Sequence, residues 1–415
     1  FSTTNGYSIM RFHGCLGVII ILSMAYLLSN NRRAIKADTI VWGIGLQLLF
    51  AIIILKVPFI ESQFSNIDSI FKKLISFADA GSDFLFTSFI PEVGYHEAMV
   101  NFAFRALPVI IFFSSLIAVT YHFGIIQFIV KWMAKIMEWS MKTSGAETLS
   151  ISANIFVGQT EAPIVIRPFI KNMTNSELMA VMTGGFATVA GSVLALYVLW
   201  LQDIPGIAGH LMAASIMSAP AALVIAKIIY PETENADAIG KTYLKDEKKA
   251  ENVMDALGQG ATDGMRLAAN VGAMLIAFVS IITMVNYLLF FLFSVNLQQI
   301  MGMFLQPLAW TMGVPWNEAR ILGSLMGEKI ILTELIAYSN LSELISNNEI
   351  SKRTAIIASY ALCGFANFGS IGIQLGGIGG IAPERRKDLS TLAFKAMLGG
   401  ALASWLTAAI AGCLL

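Results

Sequence analysis

Hydrophobic residues occur along this chain in long runs that short polar stretches separate. A helix that crosses a bilayer needs about 20 predominantly apolar residues, because the hydrocarbon core is about 30 Å thick. Eight runs meet or approach that length. The pattern therefore predicts an all-α integral membrane protein with eight transmembrane helices, at residues 14–29, 39–60, 98–125, 177–201, 209–230, 267–294, 354–381 and 389–415.

Two other stretches, residues 143–170 and 297–345, are apolar but carry polar residues near their middle. Each has the length of a helical segment that enters the membrane, turns and returns on the same side. Such backbone is tolerated at membrane depth only where it is buried in protein or lines a cavity. We therefore predict two re-entrant helical hairpins.

The segments between these elements have a different pattern. In residues 61–97, Phe, Ile and Leu alternate with Asp, Lys and Ser, which predicts amphipathic helices lying in the membrane interface. Residues 231–252 are strongly charged and are predicted to form a solvated loop or a short surface helix. Because the chain begins at Phe1 rather than at methionine, we also expect residues to precede it.

Composition supports a membrane protein, since 56% of the residues are hydrophobic, 13% are charged and the mean hydropathy is +0.70. Soluble domains carry about 25% charged residues. The net charge is zero and no region is strongly basic, so nucleic acid is not an expected partner. The three cysteines lie far apart in apolar segments and are predicted to be buried and unpaired. We find neither a zinc-binding histidine spacing nor a nucleophile with a base, so we expect no enzyme activity.

The order of a hairpin followed by an interrupted span occurs twice. Each hairpin contains a Thr-Glu pair, Thr160-Glu161 in the first and Thr333-Glu334 in the second. In the predicted topology the two hairpins open from opposite sides, which makes an inverted repeat. Transporters built in this way bind their substrate near the midplane. Small and polar residues interrupt the two spans, at Thr183, Gly184, Gly185 and Thr188 in the first and at Gly364, Asn367, Gly369 and Ser370 in the second.

The polar residues of these segments indicate a class of ligand. A carboxylate at the bilayer centre costs about 2.5–3.5 kcal/mol, although pairing of Glu161 with Arg167 would offset part of that cost. The set contains amides, hydroxyls and carboxylates but no arginine cluster, which disfavours a phosphorylated ligand. Carboxylates and amides suit a neutral hydroxylated solute, and Phe365 offers an apolar ring face. Sugars, nucleosides and polar amides all remain open on these grounds.

Three motifs carry a family resemblance: SANIFVGQTEAPIVIRPF, GEKIILTELIAY and ALCGFANFGSIGIQLGGIGGIAPERRKDL. They resemble the concentrative nucleoside transporter family, in particular its bacterial eight-span members, and the likeness extends from about residue 98 to the end. The resemblance implies a multi-pass homotrimer in the lipid of the inner (plasma) membrane. It further implies nucleoside uptake by sodium symport, with an elevator-like movement of the hairpins against a scaffold. Proton coupling through Glu161 or Glu334 is the alternative.

The resemblance also implies roles for particular residues. Those expected to contact the base are Gln159, Thr160, Glu161 and Val193. Those expected to hold the ribose are Glu334, Asn367 and Ser370, with Phe365 nearby. The expected sodium ligands are Asn154, the carbonyl of Val157, Thr188 and the carbonyl of Val189.

Four segments are predicted to divide the chain between scaffold and transport domains. Residues 1–142 and 231–296 are expected to form the scaffold spans, the interfacial helices and the charged loop. Residues 143–230 and 297–415 are expected to be the two repeats of the transport domain. The sequence departs from the family pattern at Thr333 and Leu335, where the family usually has Asn and Phe, so affinity or selectivity near the ribose is expected to differ. Thr188 stands where serine is common and keeps the hydroxyl.

Overall fold

A computed structural model describes residues 2–87, 99, 101–234 and 250–415, and the regular structure of these residues is entirely helical. The predicted all-α fold is therefore confirmed. Parts of the predicted interfacial segment (88–98) and charged loop (235–249) lie outside the described residues. The α-helices are α1 Ser2–Leu27, α2 Ala37–Lys56, α3 Pro58–Phe86, α4 Leu107–His122, α5 Ile125–Met141, α6 Gly145–Ala153, α7 Ala162–Val165, α8 Arg167–Ile170, α9 Asn175–Ala187, α10 Gly191–Trp200, α11 Ile207–Ile229, α12 Val253–Phe293, α13 Leu297–Thr311, α14 Trp316–Ile331, α15 Glu334–Ser346, α16 Lys352–Ala361, α17 Phe368–Ile381 and α18 Arg386–Leu414.

Seven stretches of the described chain are long and apolar enough to cross a membrane. They coincide with seven of the eight predicted spans. The eighth, residues 354–381, consists of α16 and α17, two helices of 10 and 14 residues that are individually too short. The seven stretches are Met10–Leu27, Ala37–Lys56, Phe102–His122, Asn175–Trp200, Ile207–Ile229, Val253–Phe293 and Pro383–Leu414.

The predicted interfacial segment begins with α3, a single helix of 29 residues. Pro58 at its start separates it from α2, because proline fits the first turn of a helix but not its interior. The buried carboxylate of Asp68 accepts hydrogen bonds from the backbone N–H groups of Gly206 (2.7 Å) and Ala208 (2.8 Å). Asp68 thus satisfies free N–H groups at the start of α11 and holds α3 against that helix.

Two helices extend beyond the predictions. The 17-residue α5 was not predicted; it is amphipathic, with Val130 and Met137 buried and Trp132 and Trp139 exposed. The predicted span 267–294 is only the second part of α12, whose 41 residues extend for about 60 Å at 1.5 Å per residue. Helix α12 packs against α4, but only 6% of the residues in its most apolar stretch are buried. Most of its surface is therefore left for lipid or for other protein.

The first hairpin consists of α6, a tip at residues 154–161, and the short returning helices α7 and α8. The second hairpin is shorter than predicted, because it contains only α14 and α15, which meet at Leu332 and Thr333. Its predicted first part is the separate helix α13. Gly313 has a φ of +90° and Pro315 caps α14, so the helical path ends between α13 and α14.

The prediction of three unpaired cysteines was wrong for two of them, because Cys15 of α1 and Cys413 of α18 form a disulfide with a Cα–Cα distance of 5.4 Å. The two helices lie side by side, and Gly14 permits the contact: a Cβ there would lie 2.8 Å from Cys413 Cα. The two cysteines are 398 residues apart in the sequence, so their proximity could not be predicted from it. Cys363 is buried and free, as predicted.

Helices α9, α11, α16 and α18 pack together at the centre of the molecule. Charged residues hold the first hairpin to this core. Lys227 of α11 pairs with the buried Glu147 at the start of α6, with an Nζ–Oε2 distance of 2.7 Å. Arg385 donates to the backbone carbonyls of residues 170, 171 and 173 at the end of the hairpin, at 3.2, 3.1 and 2.6 Å. Both ends of the first hairpin are therefore fixed.

Candidate functional site

The two interrupted helices meet at their breaks. Helix α9 ends at Ala187 and the chain resumes as α10 at Gly191, while α16 ends at Ala361 and resumes as α17 at Phe368. Gly364 in the second break has a φ of +111°, and a Cβ there would lie 2.7 Å from the carbonyl carbon and oxygen of Ala187. Only glycine combines that backbone conformation with so close an approach.

The positions of the breaks were predicted only in part. Thr188, Gly364 and Asn367 lie in the breaks, but Thr183, Gly184 and Gly185 lie inside α9. The role of the two glycines is packing, because a Cβ on Gly184 or Gly185 would overlap the side chain of Ile151 or of Gln374. Gly369 and Ser370 belong to the first turn of α17.

Hydrogen bonds connect the second hairpin to both interrupted helices. The Glu334 carboxylate accepts from the Tyr197 hydroxyl of α10 at 3.1 Å and from the Asn367 amide at 2.9 Å. Asn367 in turn accepts from the backbone N–H of Ser370 at 2.8 Å, which caps α17. Thr333 caps α15 in the same manner, by accepting from Ile336 N–H at 3.4 Å. The N-termini of α15 and α17 therefore both lie at the site.

The same chain of bonds continues to the first hairpin. Gln159 at its tip donates to Ser370 Oγ at 3.2 Å and accepts from the Gln374 amide at 3.1 Å. Gln374 also donates to the carbonyl of Met182 in α9 at 3.1 Å. We call the six residues that this chain joins the polar network: Gln159, Tyr197, Glu334, Asn367, Ser370 and Gln374.

The polar network is buried. Glu334 is 2% exposed, and the other five members are between 0 and 6% exposed. A carboxylate in such a position is costly unless it is hydrogen bonded, and the positive end of the α15 dipole further stabilises it. The Oε1 atom of Gln374 is buried without a hydrogen-bond partner. The network can therefore accept one further donor, a feature that suits a ligand or a water molecule.

All four predicted sodium ligands are buried, and two of them, Asn154 and Thr188, are in contact where the first hairpin tip meets the first break. Thr188 Oγ1 donates to the carbonyl of Asn154 at 3.1 Å, and the Asn154 amide donates to the carbonyl of Gly184 at 2.9 Å. The first hairpin tip thus contacts the first break directly. The candidate ligands are an amide oxygen, a hydroxyl and backbone carbonyls, which is an oxygen-only set of the kind that suits a hard cation such as sodium.

The remaining predicted residues lie outside these bonds. Thr160 packs against the backbone of α17, where a Cβ on Gly377 would lie 2.6 Å from its methyl carbon. Glu161 is exposed and accepts from Gly158 N–H at 3.3 Å, and in the described part of the chain it forms no ion pair with Arg167. Val193 is buried and Phe365 is half-buried. Glu161 therefore does not carry the burial cost that the sequence suggested for it.

Three residues of this region were not predicted from the sequence. Tyr197 and Gln374 belong to the polar network, and Lys329 is a fully buried lysine in the second hairpin. Tyr197 and Gln374 are polar groups within apolar helices, which was the available signal, whereas Lys329 follows Glu328 in a helix with several charged residues. The role of each residue depends on a hydrogen-bond partner that is distant in the sequence. The partner of Lys329 is more than 30 residues away, and those of Tyr197 and Gln374 are more than 130 residues away.

Comparison with known proteins identifies the family. Residues 16–89 match the profile of the Na+ dependent nucleoside transporter N-terminus, and residues 210–412 match that of the C-terminus. Residues 103–202 match a profile described as a nucleoside recognition gate. The chain belongs to the sodium-dependent nucleoside transporter family. The family resemblance of the three sequence motifs is thereby confirmed.

Similarity to individual members covers nearly the whole chain. The uncharacterized transporter YutK of Bacillus subtilis is 45% identical over 96% of this chain and 98% of its own length. Sodium/nucleoside cotransporter 1 of Rattus norvegicus is 38% identical, and the match covers 96% of this chain and 63% of the rat protein.

Solved structures of the transporter CNTnw share the fold. Its inward-facing, substrate-bound state aligns with a TM-score of 0.89 and 41% identity over 97% of this chain and 98% of CNTnw. A doubly substituted variant in an outward-facing state aligns with a TM-score of 0.88 and 40% identity over 97% of each chain. The protein is thus a multi-pass membrane transporter of this family and not an enzyme.

Proposed function

We propose that this protein carries nucleosides across the inner (plasma) membrane into the cell by symport with sodium. The observation that carries the proposal is the polar network, because it joins the tips of both hairpins to both interrupted helices. The family membership and the substrate-bound state of CNTnw support a nucleoside as the ligand.

Each part of the network suits one part of a nucleoside. The Glu334 carboxylate can accept from both hydroxyls of a ribose, while Asn367 and Ser370 supply further polar groups. Gln159 and Thr160 at the first hairpin tip would bind the base, with Glu161 at its edge. Val193 and Phe365 would contact the apolar faces of the ligand. In this arrangement the nucleoside replaces bonds that network residues now make to one another.

Sodium would bind where the first hairpin tip meets the first break, at Asn154, Val157, Thr188 and Val189. Gln159 follows Val157 by two residues, so ordering of the tip by the ion would also position the base-binding amide. The coupling is reciprocal, since an ion that raises nucleoside affinity must itself bind more tightly when nucleoside is present.

Movement of the two hairpins against a scaffold would give alternating access. The inward-facing and outward-facing states of CNTnw support this cycle. We assign residues 143–230 and 297–415 to the moving domain, and most of 1–142 and 231–296 to the scaffold. Helix α1 is the exception, because its disulfide to α18 makes it move with the transport domain.

A homotrimer follows from the family resemblance, and α12 offers a surface for it. Exposed apolar side chains along this helix include Tyr287, Phe290 and Phe291. A contiguous apolar face of this kind suits contact with lipid and with other copies of the chain. Light scattering of the detergent-purified protein tests the proposal, and a monomeric mass would contradict it.

The first test is uridine binding measured by calorimetry in sodium and in choline, at constant pH and ionic strength. Tight binding in sodium and weak binding in choline supports sodium symport. Proton coupling is the alternative that the buried Glu334 favours. It predicts equal binding in both salts, and uptake into vesicles that a pH step drives without sodium and that Glu334→Gln abolishes.

A further inference from the structure

Lys329 lies in the last turn of α14 and is 0% exposed. Its ammonium donates to the carbonyls of Ala361 at 3.0 Å and Cys363 at 3.1 Å, and to Ser404 Oγ at 2.6 Å. These three acceptors use all three N–H groups of the ammonium. Two of them lie at the C-terminal end of α16, where the helix dipole favours a cation. The second break therefore contains a fully bonded positive charge.

The position of this charge is informative when the two repeats are compared. Counted from the last residue of each interrupted half-helix, Ala187 and Ala361, the carbonyl of Val189 corresponds to that of Cys363. Val189 is a predicted sodium ligand in the first repeat. In the second repeat the corresponding carbonyl accepts from Lys329 instead.

The second repeat has no polar side chain at the positions that correspond to Asn154 and Thr188 of the first repeat. Thr188 follows the end of α9, and Leu362 follows the end of α16. Asn154 follows the end of α6 in the first hairpin, and Leu332 follows the end of α14 in the second. An amide and a hydroxyl in the first repeat are thus replaced by two isobutyl groups. Lys329 supplies the positive charge from the same hairpin.

We propose that Lys329 is a positioning residue whose ammonium takes, in the second repeat, the place that sodium takes in the first. The inference rests on the sodium site of the proposed function. It means that the second hairpin and the second break are held together by a tethered cation throughout the cycle. Because residues 361–363 lead directly to Asn367, Lys329 positions the ribose-binding groups, and only the first repeat responds to sodium.

Lys329→Met tests the inference, because it keeps an unbranched side chain only one atom shorter than lysine and removes the charge. We expect the uridine dissociation constant in saturating sodium to rise at least tenfold. The shift in thermal unfolding midpoint that sodium causes without uridine should stay at the wild-type value, because the first repeat is unchanged. The matched control is Lys352→Met, an exposed lysine at the other end of α16, which should bind uridine within twofold of wild type.

Rescue by a small cation distinguishes the charge from simple packing. Lys329→Ala leaves a space next to three acceptors, and ethylammonium chloride should restore uridine affinity at least threefold. Choline chloride at the same ionic strength should not, because choline is too large. Lys329→Met should not be rescued, because methionine fills the space. Failure of ethylammonium to improve binding to Lys329→Ala would overturn the proposal.

Three outcomes are separable. A sodium effect in the wild type with unchanged uridine binding by Lys329→Met overturns this inference alone. A wild type that shows no sodium effect overturns the proposed coupling and the comparison built on it. If neither Lys329 variant folds, Ser404→Ala provides the test, because it removes one of the three acceptors of the ammonium. About threefold weaker uridine binding, with an unchanged sodium-induced shift of the unfolding midpoint, supports the proposal. Unchanged uridine binding contradicts it.

Discussion

The two hairpin tips share a topology but differ in how they are built. The first tip is long, at residues 154–161, and its Glu161 is exposed. The second tip consists of Leu332 and Thr333 alone, and the Glu334 that follows is 2% exposed. The first tip therefore offers a longer stretch of non-helical backbone, whereas the second is a two-residue connection followed by a carboxylate that hydrogen bonds hold in place.

The contacts of the two hairpins with the interrupted helices also differ. At the first break Asn154, Thr188 and a carbonyl of α9 bond to one another without any fixed charge. At the second break the ammonium of Lys329 supplies a fixed positive charge. This difference agrees with the proposed roles of the two repeats, in which the first responds to sodium and the second holds the substrate groups in place.

The largest effect is expected at Glu334. Tyr197 and Asn367 donate to different oxygens of the Glu334 carboxylate, and Glu334→Gln replaces one of these oxygens with an NH2 group that cannot accept. We expect uridine affinity to fall on the order of 100-fold, since hydrogen bonds to a charged group contribute about 1.5–3 kcal/mol each. Calorimetry measures the loss, and the exposed Glu343→Gln on the same helix is the control. Near-normal binding by Glu334→Gln would contradict the ribose assignment.

Asn367 has two roles that one substitution can separate. Asn367→Ala loses both the cap of α17 and the bond to Glu334, whereas Asn367→Ser keeps a capping oxygen but has no amide. We expect about tenfold weaker uridine binding for both variants, from the lost bond of about 1.5 kcal/mol. Only Asn367→Ala should also lower the thermal unfolding midpoint. Recovery of full affinity in Asn367→Ser would show that the residue acts only as a cap.

A smaller effect, and one confined to the first repeat, is expected at Thr188. Thr188→Ala removes a hydroxyl from the proposed ion site. We expect the sodium concentration for half-maximal uridine binding to rise about fivefold, because one lost ligand contributes about 1 kcal/mol. At saturating sodium the affinity for uridine should return close to the wild-type value. Thr188→Ser keeps the hydroxyl and is the control. Equal sodium dependence in all three proteins would remove Thr188 from the site.

The spans and the repeat could be predicted from sequence because both are local patterns. Hydrophobic length identified α2, α11 and α18, and the paired hairpins followed from repeated Thr-Glu motifs. Helix α5 was missed because its apolar residues are spaced along one face instead of forming a run. The beginning of α12 was missed because charged and glycine residues dominate its first turns, although they form one helix with the span.

Contacts between distant residues could not be predicted from the chain alone. Gly184 and Gly185 looked like helix breakers, but they make room for Ile151 and Gln374. Cys15 and Cys413 meet only because α1 lies along α18. Gln159 and Asn367, which were predicted from the family motifs, both bond to Ser370. Tyr197 and Gln374, which were not predicted, extend the network from Glu334 to α10 and from Gln159 to α9.

The smallest effect is expected at the departure from the family pattern in the second hairpin. Thr333 caps α15, and asparagine is an equally good cap, so Thr333→Asn should fold normally. Its amide would add a donor next to Glu334, and we expect uridine affinity to rise about twofold, because one added hydrogen bond at the weak end of the usual range contributes about 0.5 kcal/mol. Thr333→Ser, which keeps the cap and adds no amide, is the control. The comparison of uridine with 2′-deoxyuridine and 3′-deoxyuridine locates the gain: an amide near the ribose should favour one hydroxyl over the other. If Thr333→Asn changes all three affinities equally, the second tip acts through its rigidity and makes no direct contact at this position.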